Sequence, residues 1–160
     1  MKAIYLTLKQ YTLQKMAVKH VDLWNDQLSN LEEEIPFERP AVFIELGEVQ
    51  WTNVNKNGKR GTLLITFHIV TDCYDVYAGD NYALDSLDLM DNAANYFDGL
   101  KIESCTPFIP STTTIDNNHG GLIHNQVSYT TEVTKCIKYG KNYTEVTPEL
   151  NITGDFLPNI

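Results

Sequence analysis

Four histidines are the residues best suited to acid–base or metal chemistry: His20, His68, His119 and His124. None of them stands in a His-x-x-x-His or Glu-x-x-His pattern, which would place two ligands on one face of a helix. A metal site would therefore have to be assembled from distant parts of the chain. His119 and His124 flank one predicted turn and could face solvent together, but two histidines alone make a weak ligand set. We predict no metal site and no cofactor.

Nucleophilic and phosphate-binding residues also lack the spacing that their chemistry requires. The segment Gly58-Lys-Arg-Gly-Thr does not follow the Gly-x-x-x-x-Gly-Lys-Ser/Thr order, and it joins two predicted antiparallel strands instead of a strand and a helix. Ser111 has no Gly-x-Ser-x-Gly elbow around it. Cys73 and Cys105 have no histidine at a recognisable spacing. The sequence therefore predicts no catalytic residues, and we expect the protein not to be an enzyme.

Size and charge narrow the class of protein. The chain has 160 residues, which suits one domain, and its net charge is −9. That charge disfavours general adhesion to nucleic acid and favours a neighbour with basic patches. No stretch approaches about 18 consecutive apolar residues, and the first residues do not form a signal peptide, so we expect synthesis in the cytosol without membrane contact. The three widely spaced cysteines are interpreted as buried thiols in a reducing compartment.

The chain is organised around two long strands between Ala41 and Asp75, which we expect to fold back on each other. Their connection, Asn55-Lys-Asn-Gly-Lys-Arg-Gly61, has the composition of a turn. In the first strand Val49 and Trp51 fall out of phase with the preceding apolar residues. One extra residue at Gly47–Glu48, a β-bulge, would return both to the apolar side. The alternating apolar residues are Val42, Ile44 and Leu46, then Leu63, Ile65, Phe67 and Ile69.

The tip of this hairpin is the candidate partner interface. About fourteen residues at roughly 3.3 Å each span about 45 Å, whereas a chain of this length has a radius of gyration of about 15 Å. We therefore expect the tip to stand clear of the body of the domain. It carries Lys56, Lys59 and Arg60, and Trp51 lies near it. We predict that these four residues contact a partner; a simple solvated turn is the alternative.

The remaining elements follow from helical and alternating periodicity. They are a helix from Lys2 to Met16, a short strand from Val18 to Trp24 with a helix to Leu31 as the rival, a polar connection from Asn25 to Pro40, a helix from Asp80 or Asn81 to Phe97 or Asp98, strands Ser111–Ile115 and Leu122–Ile137, and a tail from Tyr139 to Ile160. This order predicts an α+β fold: an antiparallel sheet built from two long hairpins, two α-helices packed on one face, and a C-terminal arm. We expect a single domain over residues 1–138 and an extension over residues 139–160.

The arrangement resembles the tail-terminator, or tail-completion, proteins of long-tailed bacteriophages. The likeness covers roughly Met1 to Ile137 and includes short stretches such as Arg39-Pro-Ala-Val-Phe-Ile and Val127-Ser-Tyr-Thr-Thr-Glu-Val. The resemblance implies a minor tail protein of a phage or prophage, without catalysis. It implies that six copies form a ring that caps the tail tube, ends its polymerisation and offers a docking surface to the head connector.

The same resemblance implies where the protein acts and what it meets. The partners would be further copies of the chain, the tail tube protein and the head–tail connector protein, with DNA only as cargo passing through the lumen of the ring. The protein would occupy the host cytoplasm during assembly and the tail or neck of the finished virion. The family shares no short active motif, so no individual residue role follows from it.

Two other functions stay open at this point. The first is a small-ligand-handling α+β enzyme, which would have a deep pocket with convergent polar groups and shifted pKa values. The second is a cytosolic adaptor that binds partners through a sheet edge. A size measurement separates them from a ring protein, because both would be compatible with a stable monomer.

Overall fold

The structure is a computed structural model that describes residues 1–29, 37–56, 58–72, 81–119 and 121–136. Its elements are α1 (Lys2–Lys15), β1 (His20–Leu23), β2 (Ala41–Leu46), β3 (Thr52–Asn55), β4 (Gly58–Asp72), α2 (Asn81–Phe97), β5 (Ile109–His119) and β6 (Leu122–Cys136). The predicted α+β class is confirmed. The expectations for Cys73 and for the arm at residues 139–160 lie outside the described residues.

The six strands form one mixed sheet in the order β1-β2-β4-β6-β5, with β3 also paired to β4. Every pairing is antiparallel except the one between β1 and β2, which is parallel. The prediction of an entirely antiparallel sheet is therefore corrected at this edge. A parallel neighbour requires a crossover of a dozen or more residues, and residues 24–40 provide that length. The short first strand itself is confirmed, and its helical rival is wrong.

The break between β2 and β3 contains the predicted extra residue, but not as a simple bulge in a continuous strand. Leu46 pairs with Ile65, and Thr52 pairs with Arg60. The first side therefore advances six residues while β4 advances five, which is the one-residue slip predicted near Gly47. The structure spreads this slip over residues 47–51, which form no strand. The first hairpin is thus built from two strands, β2 and β3, on one long β4.

Both helices pack on the same face of the sheet, as predicted. Leu8 of α1 and Phe97 of α2 are completely buried against alternate residues of β4 and β6. The rings of Phe67 and Phe97 stack with their centroids 4.1 Å apart. Tyr129 of β6 donates a hydrogen bond from its hydroxyl to the carbonyl oxygen of Ala93 in α2, at 3.3 Å. Burial of these large side chains supplies most of the driving force for the fold.

A second, smaller apolar cluster lies on the opposite face. It is formed where the connection from β1 to β2 returns across the sheet, and it consists of Leu28, Ala41, Phe43, Val70 and Leu122 with Trp24 and Phe37 packed against it. The face opposite the helices is therefore partly apolar, and the chain itself covers part of it. Within the described ranges, no helix is both long and apolar enough to span a lipid bilayer.

β5 forms one edge of the sheet and is longer than predicted. It spans Ile109–His119, so it begins before Pro110 and continues into the segment that was expected to be a turn. Its pairing with β6 shifts register twice, between Pro110 and Thr112 and between Asp116 and His119. Ile109 and Ile115 are mostly exposed, at 62% and 53% of their surface. This edge is long, nearly uncharged and partly apolar.

Candidate interaction surface

The structure gathers basic side chains at one end of the sheet, where β4 begins and β6 ends. Lys59 lies directly opposite Lys135 in the β4–β6 ladder, and Arg60 lies opposite Thr134. Lys56 is exposed at the connection between β3 and β4. We call Lys56, Lys59, Arg60 and Lys135 the basic end. The first three were predicted from the sequence, and the cross-strand register adds the fourth.

Within the described residues, few carboxylates neutralise the basic end. Arg60 lies 3.7 Å from a carboxylate oxygen of Glu132, with both side chains about half exposed. Such exposed pairs contribute little to stability. Lys56, Lys59 and Lys135 form no ion pair among the described residues. Two lysines opposite each other repel at a cost of about 0.2–1 kcal/mol. An anionic partner at this end would remove that cost.

Trp51 lies beside the basic end and separates two clefts. The first has a volume of about 390 Å³ and lies between the start of α1, the loop at residues 102–104 and the end of β6, with Lys135 in its wall. The second, of about 550 Å³, extends toward Trp24 and Glu45. Met1 and Trp51 line both clefts, so we call the two together the Trp51 groove. Trp51 is 39% exposed, so part of the apolar surface of its large ring remains in contact with solvent.

The position of Trp51 depends on a close crossing of two backbone segments. Residues 47–51 pass over Gly61 of β4 so tightly that a Cβ atom there would lie 2.5 Å from Cγ1 of Val49 and 2.7 Å from the carbonyl oxygen of Gln50. Only glycine allows this approach without displacement of the neighbouring backbone. The crossing keeps the chain out of the sheet until Thr52, and it directs Trp51 into the groove.

A chain of polar side chains crosses four strands on the face opposite the helices. His68 lies 3.0 Å through Nε2 from an oxygen of Glu45 and 2.9 Å through Nδ1 from Nε2 of His124. His124 in turn has Nδ1 3.9 Å from an oxygen of Asp116. The indole of Trp24 stacks on the His68 ring with the centroids 3.9 Å apart and the planes 2° from parallel. Glu45, His68, His124 and Asp116 form what we call the histidine chain.

Burial favours the neutral form of His68 in the histidine chain. The side chains of His68 and His124 are only 5% and 4% exposed. Burial lowers the pKa of His68 below its ordinary value, and the neighbouring Glu45 carboxylate opposes that shift. A neutral His68 that donates from Nε2 to Glu45 must accept at Nδ1, so His124 donates from Nε2. The expectation that His124 could face solvent is wrong, because β6 turns it onto the covered face.

The described residues offer little else for catalysis or metal binding. They contain no group of three or more histidine, cysteine, aspartate or glutamate side chains that could hold a metal ion. Burial raises the pKa of the Cys105 thiol, so that thiol stays protonated at neutral pH. Cys136 is exposed, which corrects the prediction of buried thiols for that residue. No local sequence pattern indicates the histidine chain, because its members are far apart in the sequence and meet only through strand register.

Comparison with known proteins shows a likeness to solved structures. No family model matches the chain, and no curated protein matches it. Among solved structures, the fold is similar to that of a chain in the virion of a native gene transfer agent (GTA) particle, with a TM-score of 0.53 and 11% sequence identity. The match covers 83% of this chain and 97% of that one. At this identity the likeness shows that the two chains share an α+β fold.

Proposed function

We propose that this chain is a structural protein of a phage-like virion, and that it forms a ring that caps the tail tube. In this role it ends tail polymerisation and provides the docking surface for the head connector. The observation that carries the proposal is the shared fold with a virion chain of a gene transfer agent particle, matched over 97% of that chain. The role requires no catalytic residue and no cofactor.

The open strand edges support an assembly of several copies. β5 pairs only with β6 among the described strands, and its exposed isoleucines, Ile109 and Ile115, lie along the outer edge of the sheet. A long, exposed and partly apolar edge can pair with another chain and is normally covered. Identical copies placed head to tail around a closed ring would cover each such edge with the next copy.

The distribution of charge supports the proposed partners. The chain has a net charge of −9, yet Lys56, Lys59, Arg60 and Lys135 collect at one end of the sheet. This end, with Trp51 beside it, offers a contact for the tail tube protein or the head connector protein. An acidic remainder suits the lumen, because repulsion lets DNA pass through as cargo without adhesion. The protein would assemble in the host cytoplasm and stay in the tail or neck of the virion.

The mass of the purified protein tests the ring. We expect light scattering after size-exclusion chromatography to give six times 18.2 kDa, about 109 kDa, and electron microscopy to show rings with a central opening. If the protein is instead a small-ligand enzyme or an adaptor that binds through a sheet edge, we expect a stable monomer with a mass near 18.2 kDa. A monomer at every concentration tested, alone and with tail tubes, would overturn the ring.

A further inference from the structure

We infer that the Trp51 groove binds the acidic, apolar C-terminal segment of its own chain, residues 142–160. This inference concerns a contact within one chain and does not depend on the ring. It rests on the chemistry of the groove, on the composition of the segment, and on the point at which the segment leaves the sheet.

The groove has an apolar floor and a basic end wall. Five residues with large apolar surfaces line its first cleft: Met1, Ile4, Trp51, Ile102 and Val133. Met1 and Trp51 are 50% and 39% exposed, so this floor still has apolar surface to bury. Lys135 stands in the wall with Lys59 directly opposite it on the neighbouring strand, and neither lysine has an ion-pair partner among the described residues.

Two carboxylates also line the groove, and they limit where an acidic ligand would sit. Glu103 belongs to the first cleft and Glu45 to the second. Glu45 already has a partner in the Nε2 nitrogen of His68, 3.0 Å away. Glu103 shares the first cleft with Lys135, but Lys59 lies opposite Lys135, and neither lysine has an ion-pair partner in the described part of the chain, so the Lys135 end is the more positive part of the groove. A fitting ligand places its carboxylates there and its apolar side chains along Met1 and Trp51.

The C-terminal segment has this composition. From Asn142 to Ile160 it contains three carboxylate side chains, those of Glu145, Glu149 and Asp155, and no lysine or arginine. Apolar and aromatic residues alternate with these acids: Tyr143, Val146, Leu150, Ile152, Phe156, Leu157 and Ile160. Its acids complement the two lysines, and its apolar residues complement the floor of the groove.

The point of attachment favours the chain's own segment over that of a second copy. β6 ends at Cys136, one residue after Lys135 in the groove wall. The following 24 residues can reach roughly 80 Å when extended, far more than the groove requires. A ligand tethered at the rim has an effective concentration on the order of millimolar, so modest contacts are enough to hold it. Trp51 and Lys135 would then contact the C-terminal segment, and Lys56 and Arg60 would be available to contact external partners.

Site-specific photo-cross-linking of the full chain tests this contact. Thr7 lines the first cleft and is exposed, so a benzoylphenylalanine placed there samples the groove while Trp51 and both lysines stay intact. We expect cross-links from position 7 to residues 143–160. The matched control carries the same photoreactive residue at Ile115, which is 53% exposed on the β5 edge, and should give no such cross-links.

Isotope labelling distinguishes the chain's own segment from that of a neighbour. In an equal mixture of ¹⁵N-labelled and unlabelled protein, an intramolecular contact gives cross-linked peptides that are fully heavy or fully light. Mixed heavy–light products as the main species, or no cross-links to residues 143–160, would overturn the inference. Because a ring can form in either case, this outcome is separate from that of the proposed function.

Charge-neutral variants test the proposed recognition. The full chain carrying Glu145→Gln, Glu149→Gln and Asp155→Asn should lose the cross-links from position 7 several-fold while its circular dichroism stays unchanged. Lys135→Gln should have a similar effect, whereas Lys101→Gln, an exposed lysine outside the groove, should not. Raised salt should also reduce the yield, because exposed charges are screened. If the cross-linking yield stays the same in the triple acid variant, in Lys135→Gln and at raised salt, the assignment is contradicted.

Discussion

Lys59 and Lys135 lie directly opposite each other in the β4–β6 ladder, although the chain carries an excess of nine negative charges. Two like charges in this position destabilise a sheet. With 21 acidic residues in the chain, a carboxylate opposite either lysine would be the more stable arrangement. The pair is therefore consistent with the two proposals that give this end a negatively charged contact, either a partner or the C-terminal segment of the chain.

Replacing one of the two lysines should stabilise the isolated fold. In the protein that also carries Glu145→Gln, Glu149→Gln and Asp155→Asn, so that the C-terminal acids cannot compensate the lysines, Lys135→Glu converts a repulsive cross-strand pair into an attractive one, and we expect the free energy of unfolding to rise by about 0.2–1 kcal/mol. Urea denaturation at low salt measures the change. Lys56→Glu is the matched control, because Lys56 lies outside the ladder and has no lysine opposite it. Equal effects of the two substitutions would show that the cross-strand repulsion is not the cause.

Gly61 should not tolerate a side chain. In Gly61→Ala the new Cβ would meet the carbonyl oxygen of Gln50 at 2.7 Å, so the backbone must shift, and we expect a loss of about 1–3 kcal/mol. Gly58→Ala on the same strand is the control, since its nearest contact is the flexible side chain of Asn55 at 3.3 Å. Thermal unfolding compares the two variants. A Gly61→Ala protein as stable as Gly58→Ala would contradict the tight crossing beneath residues 47–51.

Stability should fall in mild acid because of His68. Burial lowers the pKa of His68 in the folded state below the ordinary value of 6.5. In mild acid the imidazole is therefore protonated more readily in the unfolded chain than in the folded chain. The free energy of unfolding is therefore fully retained above about pH 6.5 and decreases as the pH falls below it. One group contributes at most about 1.4 kcal/mol per pH unit.

Substitution of His68 isolates this contribution. We expect His68→Gln to flatten the slope of unfolding free energy against pH between pH 5 and pH 7, whatever its effect on stability at neutral pH. Chemical denaturation at a series of pH values gives the slope. If the variant keeps the slope of the unmodified protein, the acid sensitivity arises from another group.

Charge reversal at the basic end should abolish capping without unfolding the protein. The variant with Lys56→Glu, Lys59→Glu and Arg60→Glu is expected to keep its circular dichroism and unfolding midpoint, because these side chains are at the surface. Of the three, only Arg60 has an ion pair with a described residue, and that exposed pair is weak. Co-sedimentation with tail tubes measures binding, and we expect it to fall at least tenfold. The control variant reverses the charge of three exposed lysines elsewhere on the surface, Lys2, Lys19 and Lys101. Its total change in net charge equals that of the basic-end variant.

Local patterns in the sequence were enough to predict most of the elements. Apolar residues at helical spacing predict α1 and α2, and strict alternation predicts the core face of β4, where Leu63 to Ile69 is buried at every second residue. The extra residue near Gly47 was also predictable, because the phase of the apolar pattern changes there. These features depend on residues that are close together in the sequence.

Features that depend on which strands meet were not predictable in the same way. The parallel pairing of β1 with β2 depends on the path of the connecting segment, and no local pattern encodes that path. The register of the long β4–β6 ladder places Lys135 at the basic end. The same register brings His124 next to His68. The predicted site residues Lys56, Lys59, Arg60 and Trp51 do lie at one end of the fold, but their contact with a partner stays a prediction.

The length of tail tubes assembled in the presence and absence of this chain tests the proposed role most directly. Electron microscopy of particles produced by the element that encodes the chain, with and without its coding sequence, measures both the tube length and the fraction of tubes joined to heads. We predict tubes of uniform length joined to heads when the chain is present, and overlong, headless tubes when it is absent. Tubes of normal length joined to heads in its absence would contradict the account.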